Sequence, residues 1–130
     1  MSSQSEHILV LEDNPQYQYV LEQTFSNAGF TVTTAERVDK ALVLAKIQHF
    51  DLAIVDYHLP DHPGTHFITL LRAIDQYEHT PVILVTAWTD ELNLEYQCRD
   101  LSIVTLSKMG GVKQALETVR KCLAAARSAS

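Results

Sequence analysis

Cysteines and long apolar segments are scarce in this sequence, and their scarcity excludes several classes of protein. The 130 residues include two cysteines, Cys98 and Cys122, which are too few for a disulfide framework, so we expect the reduced thiols of a cytosolic protein. No apolar run approaches the ~20 residues that cross a bilayer. Residues 1–7 are polar and lack the basic flank and apolar core of a signal peptide. We therefore expect a cytoplasmic protein with no membrane segment.

Basic residues are also few. The chain has 10 Lys and Arg against 16 Asp and Glu, for a formal net charge of -6. Surfaces that bind nucleic acids cluster basic side chains against the phosphates, so direct binding to nucleic acid is not expected. A length of 130 residues with 46% hydrophobic content suits one globular domain, and no repeat or linker divides residues 1–130.

The hydrophobic pattern alternates between short apolar runs and segments with helical spacing. Five runs predict strands, and four of them are continuously apolar, which is typical of parallel strands covered on both faces. The predicted strands span residues 8–11, 31–33, 52–55, 82–85 and 103–106.

Apolar residues three and four positions apart predict helices between these strands. The predicted apolar stripes are Tyr17, Val20, Leu21, Phe25 and Ala28 in the first helix; Val38, Ala41, Leu42 and Ala45 in the second; Phe67, Leu70, Leu71 and Ile74 in the third; and Val112, Ala115, Leu116, Val119, Leu123 and Ala126 in the fifth. The fourth helix, at about residues 90–99, has the least regular pattern. Five strand–helix units in series predict an α/β fold, a doubly wound parallel sheet in the order 2-1-3-4-5.

Polar side chains stand where the predicted strands end. Glu12 and Asp13 follow the first strand, Asp56 the third, Thr86 the fourth and Lys108 the fifth. In a sheet of this order, ligands bind at the edge formed by the carboxyl ends of the strands. Each residue alone is more often a helix cap, a turn former or a solvated side chain. Separate structural roles do not explain why all of them follow successive strands, so we expect one shared pocket.

The five side chains suit the transfer of a phosphoryl group to a carboxylate. Asp56 provides a nucleophile of an accepted kind. Glu12 and Asp13 offer the oxygen ligands that Mg²⁺ prefers, and a bound cation would offset charge on the transferring group. Lys108 would place a positive charge beside a phosphoryl oxygen, and Thr86 would donate a hydrogen bond to another.

These motifs resemble the receiver domain family of two-component response regulators. The resemblance is carried by Ile-Leu-Val-Leu-Glu-Asp-Asn at 8–14, Asp-Leu-Ala-Ile-Val-Asp-Tyr-His-Leu-Pro at 51–60, Pro-Val-Ile-Leu-Val-Thr-Ala at 81–87, and Lys108, and it extends over about residues 6–126. It implies a flavodoxin-like fold in which Asp56 is the phosphoacceptor. It also implies a metal site in which Asp13 and Asp56 bind directly, Glu12 acts through a water, and the backbone carbonyl of His58 completes the ligands.

The resemblance implies a phosphorylated switch and not an enzyme. A sensor histidine kinase or a histidine phosphotransfer protein would donate the phosphoryl group, with Mg²⁺ or Mn²⁺ as cofactor. A downstream protein or output domain would receive the signal. The alternative is a degenerate receiver that binds its partners without being phosphorylated.

Two other classes of protein fit the sequence less well. A flavin-binding protein of the same topology needs a loop of Ser, Thr and Gly after the first strand to cradle a phosphate, where this chain has two acids. A phosphatase with an aspartate nucleophile would carry a second acid two residues after the nucleophile, where this chain has His58.

Three positions depart from the family pattern. Met109 stands where the family usually has a proline, Thr105 where it often has Tyr or Phe, and Pro63 where Asp or Ser is common. Because a cis bond before a residue other than proline costs ~3–4 kcal/mol, the Lys108–Met109 peptide is predicted to be trans. Thr105 has no ring to bury, so we expect no aromatic rotamer switch on the fifth strand.

Overall fold

A computed structural model describes residues 5–87 and 103–129 of the protein. Five parallel strands form one sheet in the order β2-β1-β3-β4-β5. The strands are β1 (His7–Leu11), β2 (Thr31–Ala35), β3 (Leu52–Asp56), β4 (Val82–Thr86) and β5 (Ile103–Ser107). The predicted strands and their order are confirmed, and each strand is one or two residues longer than predicted.

The described ranges contain four α-helices. These are α1 (Pro15–Asn27), α2 (Val38–Ile47), α3 (Gly64–Arg72) and α4 (Gly111–Ala129), and short 3-10 turns occur at Asp75–Tyr77 and Lys108–Gly110. The first three helices match the first three predictions, and α4 matches the predicted fifth helix. The predicted fourth helix, at about residues 90–99, lies outside the described residues.

Helices cover the sheet on both faces. One hydrophobic cluster joins α1 and α4 to the sheet and includes Ile8 and Val10, whereas the other joins α2 and α3 to it and includes Leu9 and Leu11. Successive residues of a strand point to opposite faces, which explains this division of β1. Every residue of β3 and β4 is buried, as their continuously apolar sequences predicted.

Two residues of the predicted apolar stripes, Leu70 and Val20, are exposed. In α3, Leu70 is 38% exposed, whereas Ile68, which the spacing did not select, is fully buried. At 3.6 residues per turn, Ile68 shares a side of the helix with Gly64, which packs against the end of β3, and Leu70 lies on the opposite flank. Val20 of α1 is 41% exposed because it lines an open cavity at the margin of the sheet.

None of the helices in the described ranges has the length and apolar character needed to cross a membrane. Cys122 of α4 is a half-buried free thiol, in agreement with its predicted state, and Cys98 lies outside the described residues.

Candidate functional site at the carboxyl edge of the sheet

Three carboxylates meet where β1 and β3 end. Glu12 and Asp13 directly follow β1, and Asp56 is the last residue of β3. One carboxylate oxygen from each of the three lies within 4.8 Å of the others. Glu12 is 2% exposed and Asp56 5% exposed, whereas Asp13 is open to solvent. The sheet therefore brings together the three acids that the sequence placed at one pocket.

Lys108 reaches these acids from the end of β5. Its Nζ lies 2.9 Å from Oε1 of Glu12 and 3.4 Å from Oδ2 of Asp56. The residue begins a 3-10 turn, in which Oγ of Ser107 accepts a hydrogen bond from the backbone N–H of Met109 at 3.1 Å. The Lys108–Met109 peptide is trans, as predicted, since the described residues contain no cis bond.

The start of α1 orients Glu12. Asn14 caps this helix, because its Oδ1 accepts a hydrogen bond from the backbone N–H of Tyr17 at 2.9 Å, and Pro15 occupies the first helical position. The backbone N–H of Asn14 in turn donates to Oε2 of Glu12 at 3.0 Å. Asn14 therefore caps the N-terminus of α1, and the carboxylates of Glu12 and Asp13 belong to the pocket.

The loop between β3 and α3 holds Asp56 from the other side. The backbone N–H of His58 lies 3.4 Å from Oδ1 of Asp56, and the N–H of Gly64 donates to the carbonyl of Tyr57 at 2.7 Å. A Cβ on Gly64 would lie 2.2 Å from the backbone oxygen of Asp56. Only glycine permits so close an approach of α3 to the end of β3.

Thr86 ends β4 and pairs in register with Ser107 of β5. It is 2% exposed, and the strand that carries it lies next to β3, where Val85 pairs with Asp56. Thr86 thus lies at the same edge of the sheet as the acids. The predicted roles of Thr86 and of the His58 carbonyl remain proposals.

Burial and neighbouring charges together shift the protonation of Glu12 and Lys108. Burial, together with the charge of Asp56, raises the pKa of Glu12 to about 7, against the opposing effect of its hydrogen bonds with Asn14 and Lys108. Burial by itself lowers the pKa of Lys108, but its contacts with Glu12 and Asp56 outweigh that effect and raise it. The acids therefore carry more negative charge than Lys108 offsets.

Two neighbouring side chains were not selected as site residues from the sequence. The Tyr17 ring, which its spacing assigned to a core-facing stripe, lies 4.8 Å from Nζ of Lys108. Nε2 of Gln18 donates to the backbone oxygen of Glu12 at 2.9 Å. Both residues lie near the start of a helix that begins beside the acids, and this position could have indicated that they are near the site. Helical spacing does not show which side chain reaches β5, so it did not identify Tyr17.

The chain matches the family described as "Response regulator receiver domain" over residues 8–120. It belongs to this family. The resemblance drawn from the sequence is thus confirmed. Receiver domains as a family accept phosphoryl groups and coordinate Mg²⁺, and no enzyme family is indicated for the chain.

Relatives of this receiver domain occur in longer regulators. The transcriptional regulatory protein TorR of the TorCAD operon in Escherichia coli is 31% identical over 87 residues, which are 67% of this chain and 36% of TorR. The receiver domain described here therefore spans about a third of the length of that regulator.

Solved structures confirm the CheY-like, flavodoxin-like fold of this receiver domain. The chemotaxis protein CheY4 of Vibrio cholerae superposes with a TM-score of 0.86 at 24% identity, and the match covers 92% of this chain and 99% of CheY4. The receiver domain of a sensor histidine kinase from Pseudomonas aeruginosa, solved with a magnesium ion in its active site cleft, gives a TM-score of 0.83 at 24% identity over 93% of this chain and 99% of that one.

Proposed function

We propose that Asp56 accepts a phosphoryl group, in a reaction that needs a divalent cation, and that phosphorylation changes how the chain binds a partner. The observation that carries this proposal is the cluster at the sheet edge. A buried aspartate lies within 4.8 Å of two further carboxylates and 3.4 Å from the ammonium of Lys108. This set provides a nucleophile, oxygen ligands for a cation and a positive charge for a phosphoryl oxygen.

Asp56 is better suited to be the nucleophile than either neighbouring acid. The oxygens of Glu12 are held closely, by Lys108 at 2.9 Å and by the N–H of Asn14 at 3.0 Å, whereas the corresponding contacts of Asp56 with Lys108 and with the N–H of His58 are both 3.4 Å long. With a pKa of about 7, Glu12 is also partly protonated at neutral pH. Asp13 is exposed, whereas Asp56 combines burial with adjacency to the lysine.

In the proposed step an oxygen of Asp56 forms a bond to phosphorus while the bond between phosphorus and the donor breaks. If the donor is a phosphohistidine, the electron pair of the broken bond stays on the imidazole nitrogen. If the donor is a small acyl phosphate, the pair stays on the carboxylate oxygen. Lys108 exchanges its contact with Asp56 for a hydrogen bond to a phosphoryl oxygen and keeps its contact with Glu12. Thr86, at the end of the next strand, donates to a second phosphoryl oxygen.

The residues of the pocket fit a small, hard cation. Its direct ligands would be oxygens of Asp13 and Asp56 together with the carbonyl of His58, and Glu12 would act through a bound water, a set that suits Mg²⁺ or Mn²⁺. The pocket holds three carboxylates and one ammonium, so a bound cation would offset negative charge that Lys108 alone does not balance. When bound, the cation supplies charge neutralisation and orientation of the phosphoryl oxygens.

We further propose that the donor is a phosphohistidine on a sensor histidine kinase or a histidine phosphotransfer protein, in the cytoplasm. The recipient of the signal would be a downstream protein or output domain, without direct contact of this chain with nucleic acid or membrane. The relatives support this assignment, because they include a transcriptional regulator and a receiver domain of a histidine kinase.

The test is phosphorylation by acetyl phosphate, followed by intact-mass measurement. The wild type should gain one phosphoryl group with Mg²⁺ present and none with EDTA. Asp56→Asn should gain none. The matched control is Asp75→Asn, an exposed aspartate outside the pocket, which should behave like the wild type.

A phosphoryl group that Asp56→Asn still accepts would assign the nucleophile elsewhere. If the wild type takes up no phosphoryl group and binds no beryllofluoride with Mg²⁺, the chain is a phosphorylation-independent interaction module.

A further inference from the structure

The ring of Tyr17 lies beside the ammonium of Lys108, although the two residues come from opposite ends of the chain. The Nζ of Lys108 is 4.8 Å from the ring centroid, within the distance at which a cation is attracted to an aromatic face. The same ammonium lies 2.9 Å from Glu12 and 3.4 Å from Asp56. Lys108 is therefore held between carboxylates and an aromatic ring.

Tyr17 is itself anchored to the site. Its backbone N–H donates to Oδ1 of Asn14, and the N–H of Asn14 donates to the carboxylate of Glu12. Two hydrogen bonds thus connect the residue that carries the ring to the acid that binds Lys108. Rigid attachment at the start of a helix positions the half-buried ring more precisely than a loop would.

The residues that directly follow Lys108 in the chain are exposed to solvent. The next residue, Met109, is 85% exposed, and Gly111 follows with a φ of +82°. The lysine stem has several rotatable bonds and loses much rotamer freedom when its charge is held in one place. Contacts with the ammonium must therefore select its orientation.

An open cavity adjoins the ring on the side of α1. It has a volume of about 380 Å³ and is lined by Asn14, Gln16, Tyr17, Val20 and Lys108. Because Tyr17 and Lys108 line it together, loss of the ring would give the ammonium room to turn away from the acids into solvent.

We propose that Tyr17 is a positioning residue for Lys108, which keeps the ammonium over the phosphoryl position while the charge of Asp56 changes. This inference rests on the proposed function. Before the reaction, two carboxylates hold Lys108; once Asp56 is phosphorylated, it is an acyl phosphate and no longer a carboxylate anion. The ring contact does not depend on Asp56, so it retains the lysine in both states.

The experiment compares Tyr17→Phe, which keeps the ring, with Tyr17→Leu, which removes it. The readout is the affinity for beryllofluoride with Mg²⁺ present, a mimic of the phosphoryl group. Tyr17→Leu should bind about five- to tenfold more weakly, the range expected when a partly buried cation–π contact is lost. Tyr17→Phe should stay within about twofold of the wild type, since the ring face remains.

A spectroscopic readout reports the contact independently of phosphorylation. Protons on Cε of Lys108 lie near the ring and should show an upfield ring-current shift in nuclear magnetic resonance spectra of the wild type and Tyr17→Phe. The shift should vanish in Tyr17→Leu. Val20→Ala is the matched control, because it alters the same cavity on the same helix and leaves the ring in place. It should change neither the shift nor the affinity.

The outcomes separate the two hypotheses. If the wild type binds beryllofluoride and Tyr17→Leu binds it equally well, the positioning role is overturned and the proposed function stands. Equal weakening in Tyr17→Phe and Tyr17→Leu would also overturn it, because the hydroxyl would then be responsible. If the wild type binds no beryllofluoride, the proposed function fails, and the ring-current shift alone decides whether Tyr17 holds Lys108. Should Tyr17→Leu not fold, Tyr17→Met supplies the ring-free side chain.

Discussion

At the scale of single residues, Glu12 has the most unusual surroundings in the described parts of the chain. It is 2% exposed, contacts Lys108 at 2.9 Å, and shares its pocket with Asp13 and Asp56. Burial away from water and nearby negative charge both favour the protonated form of a carboxyl group, and so raise its pKa. Its pKa is accordingly raised from 4.5 to about 7 by burial and by Asp56.

This shift predicts how stability depends on pH when no metal is bound. Between its ordinary pKa of 4.5 and the folded value of about 7, Glu12 binds more protons in the folded chain than in the unfolded one. Its contribution to stability is fully present below pH 4.5 and is lost as the pH rises through 7, for a total on the order of 3 kcal/mol. The free energy of unfolding, measured by denaturant unfolding of the wild type in EDTA at several pH values, reports this contribution.

Glu12→Gln is the comparison that isolates this effect. His7 has a lowered pKa because of burial, and it changes stability with pH in the opposite direction. His7 and the other histidines are present in both proteins, so the difference between wild type and variant removes them. As the pH rises from 4.5 to 7, we expect the free energy of unfolding of the wild type to fall relative to that of Glu12→Gln. If the two free energies change in parallel with pH, the raised pKa is contradicted.

At the scale of secondary structure elements, the site depends on how closely α3 approaches β3. The Cβ of an alanine at position 64 would lie 2.2 Å from the backbone oxygen of Asp56 and 2.9 Å from Cγ1 of Val55. Both neighbours belong to a fully buried strand and have little room to move. Gly64→Ala should lower the free energy of unfolding by about 1–3 kcal/mol, as overpacking of a core does.

Gly110→Ala provides the control for this substitution. A Cβ at position 110 would meet only the end of the flexible Gln114 side chain, which can turn aside. Chemical denaturation should therefore show a much smaller loss for Gly110→Ala than for Gly64→Ala. Equal losses would mean that the approach of α3 to β3 is not the cause.

Helix α2 is capped by a residue from another part of the chain. The side chain of its own N-cap residue, Arg37, accepts no hydrogen bond from the backbone N–H groups of the helix. Instead, the carboxylate of Asp61, in the loop after β3, accepts hydrogen bonds from the N–H groups of Val38 at 3.0 Å and Asp39 at 3.1 Å. The loop that carries the His58 carbonyl is thereby tied to α2.

Asp61→Ala should cost about 1 kcal/mol of stability, the usual effect of losing a cap. Asp39→Ala removes a negative charge from the same helix end without removing the two capping bonds, so it controls for the interaction with the helix dipole. Thermal melts of both variants measure the difference. A loss for Asp61→Ala no larger than for Asp39→Ala would show that the hydrogen bonds contribute nothing.

At the scale of the whole molecule, folding brings Asp56 beside Glu12 and Asp13, which are adjacent in the chain. Carboxylates 4 Å apart repel by roughly 4 kcal/mol at an effective dielectric of 20, before solvent reduces it. Mg²⁺ that binds only the assembled pocket should stabilise the fold, by about 2.7 kcal/mol at one hundred times its Kd. Melting temperatures with and without millimolar Mg²⁺ measure this gain.

Asp56→Asn removes one repelling charge at nearly constant volume. It should melt at a higher temperature than the wild type in EDTA and gain less from Mg²⁺, whereas Asp75→Asn, at an exposed position, should do neither. Two results together would refute the assignment of the pocket: the melting temperature of the wild type does not rise with Mg²⁺, and Asp56→Asn is no more stable than the wild type.

The sequence by itself determined the architecture and the chemical groups of the pocket. Continuously apolar runs mark strands such as β3 and β4 because both faces of a central parallel strand are buried. For five alternating strands and helices the doubly wound order is usually 2-1-3-4-5, and this order, which is confirmed, brings Glu12, Asp56 and Lys108 to one edge. The family could be recognised because these residues follow strand ends at characteristic spacings.

Only the tertiary structure decided how the pocket is supported. Three contacts join different elements: the ring of Tyr17 beside Lys108, the cap that Asp61 places on α2, and the fit of Gly64 against Asp56. Local periodicity reports which side of an element is buried, but it does not report what a side chain touches on another element. The raised pKa of Glu12 has the same origin, since burial and neighbouring charge exist only after the strands pack.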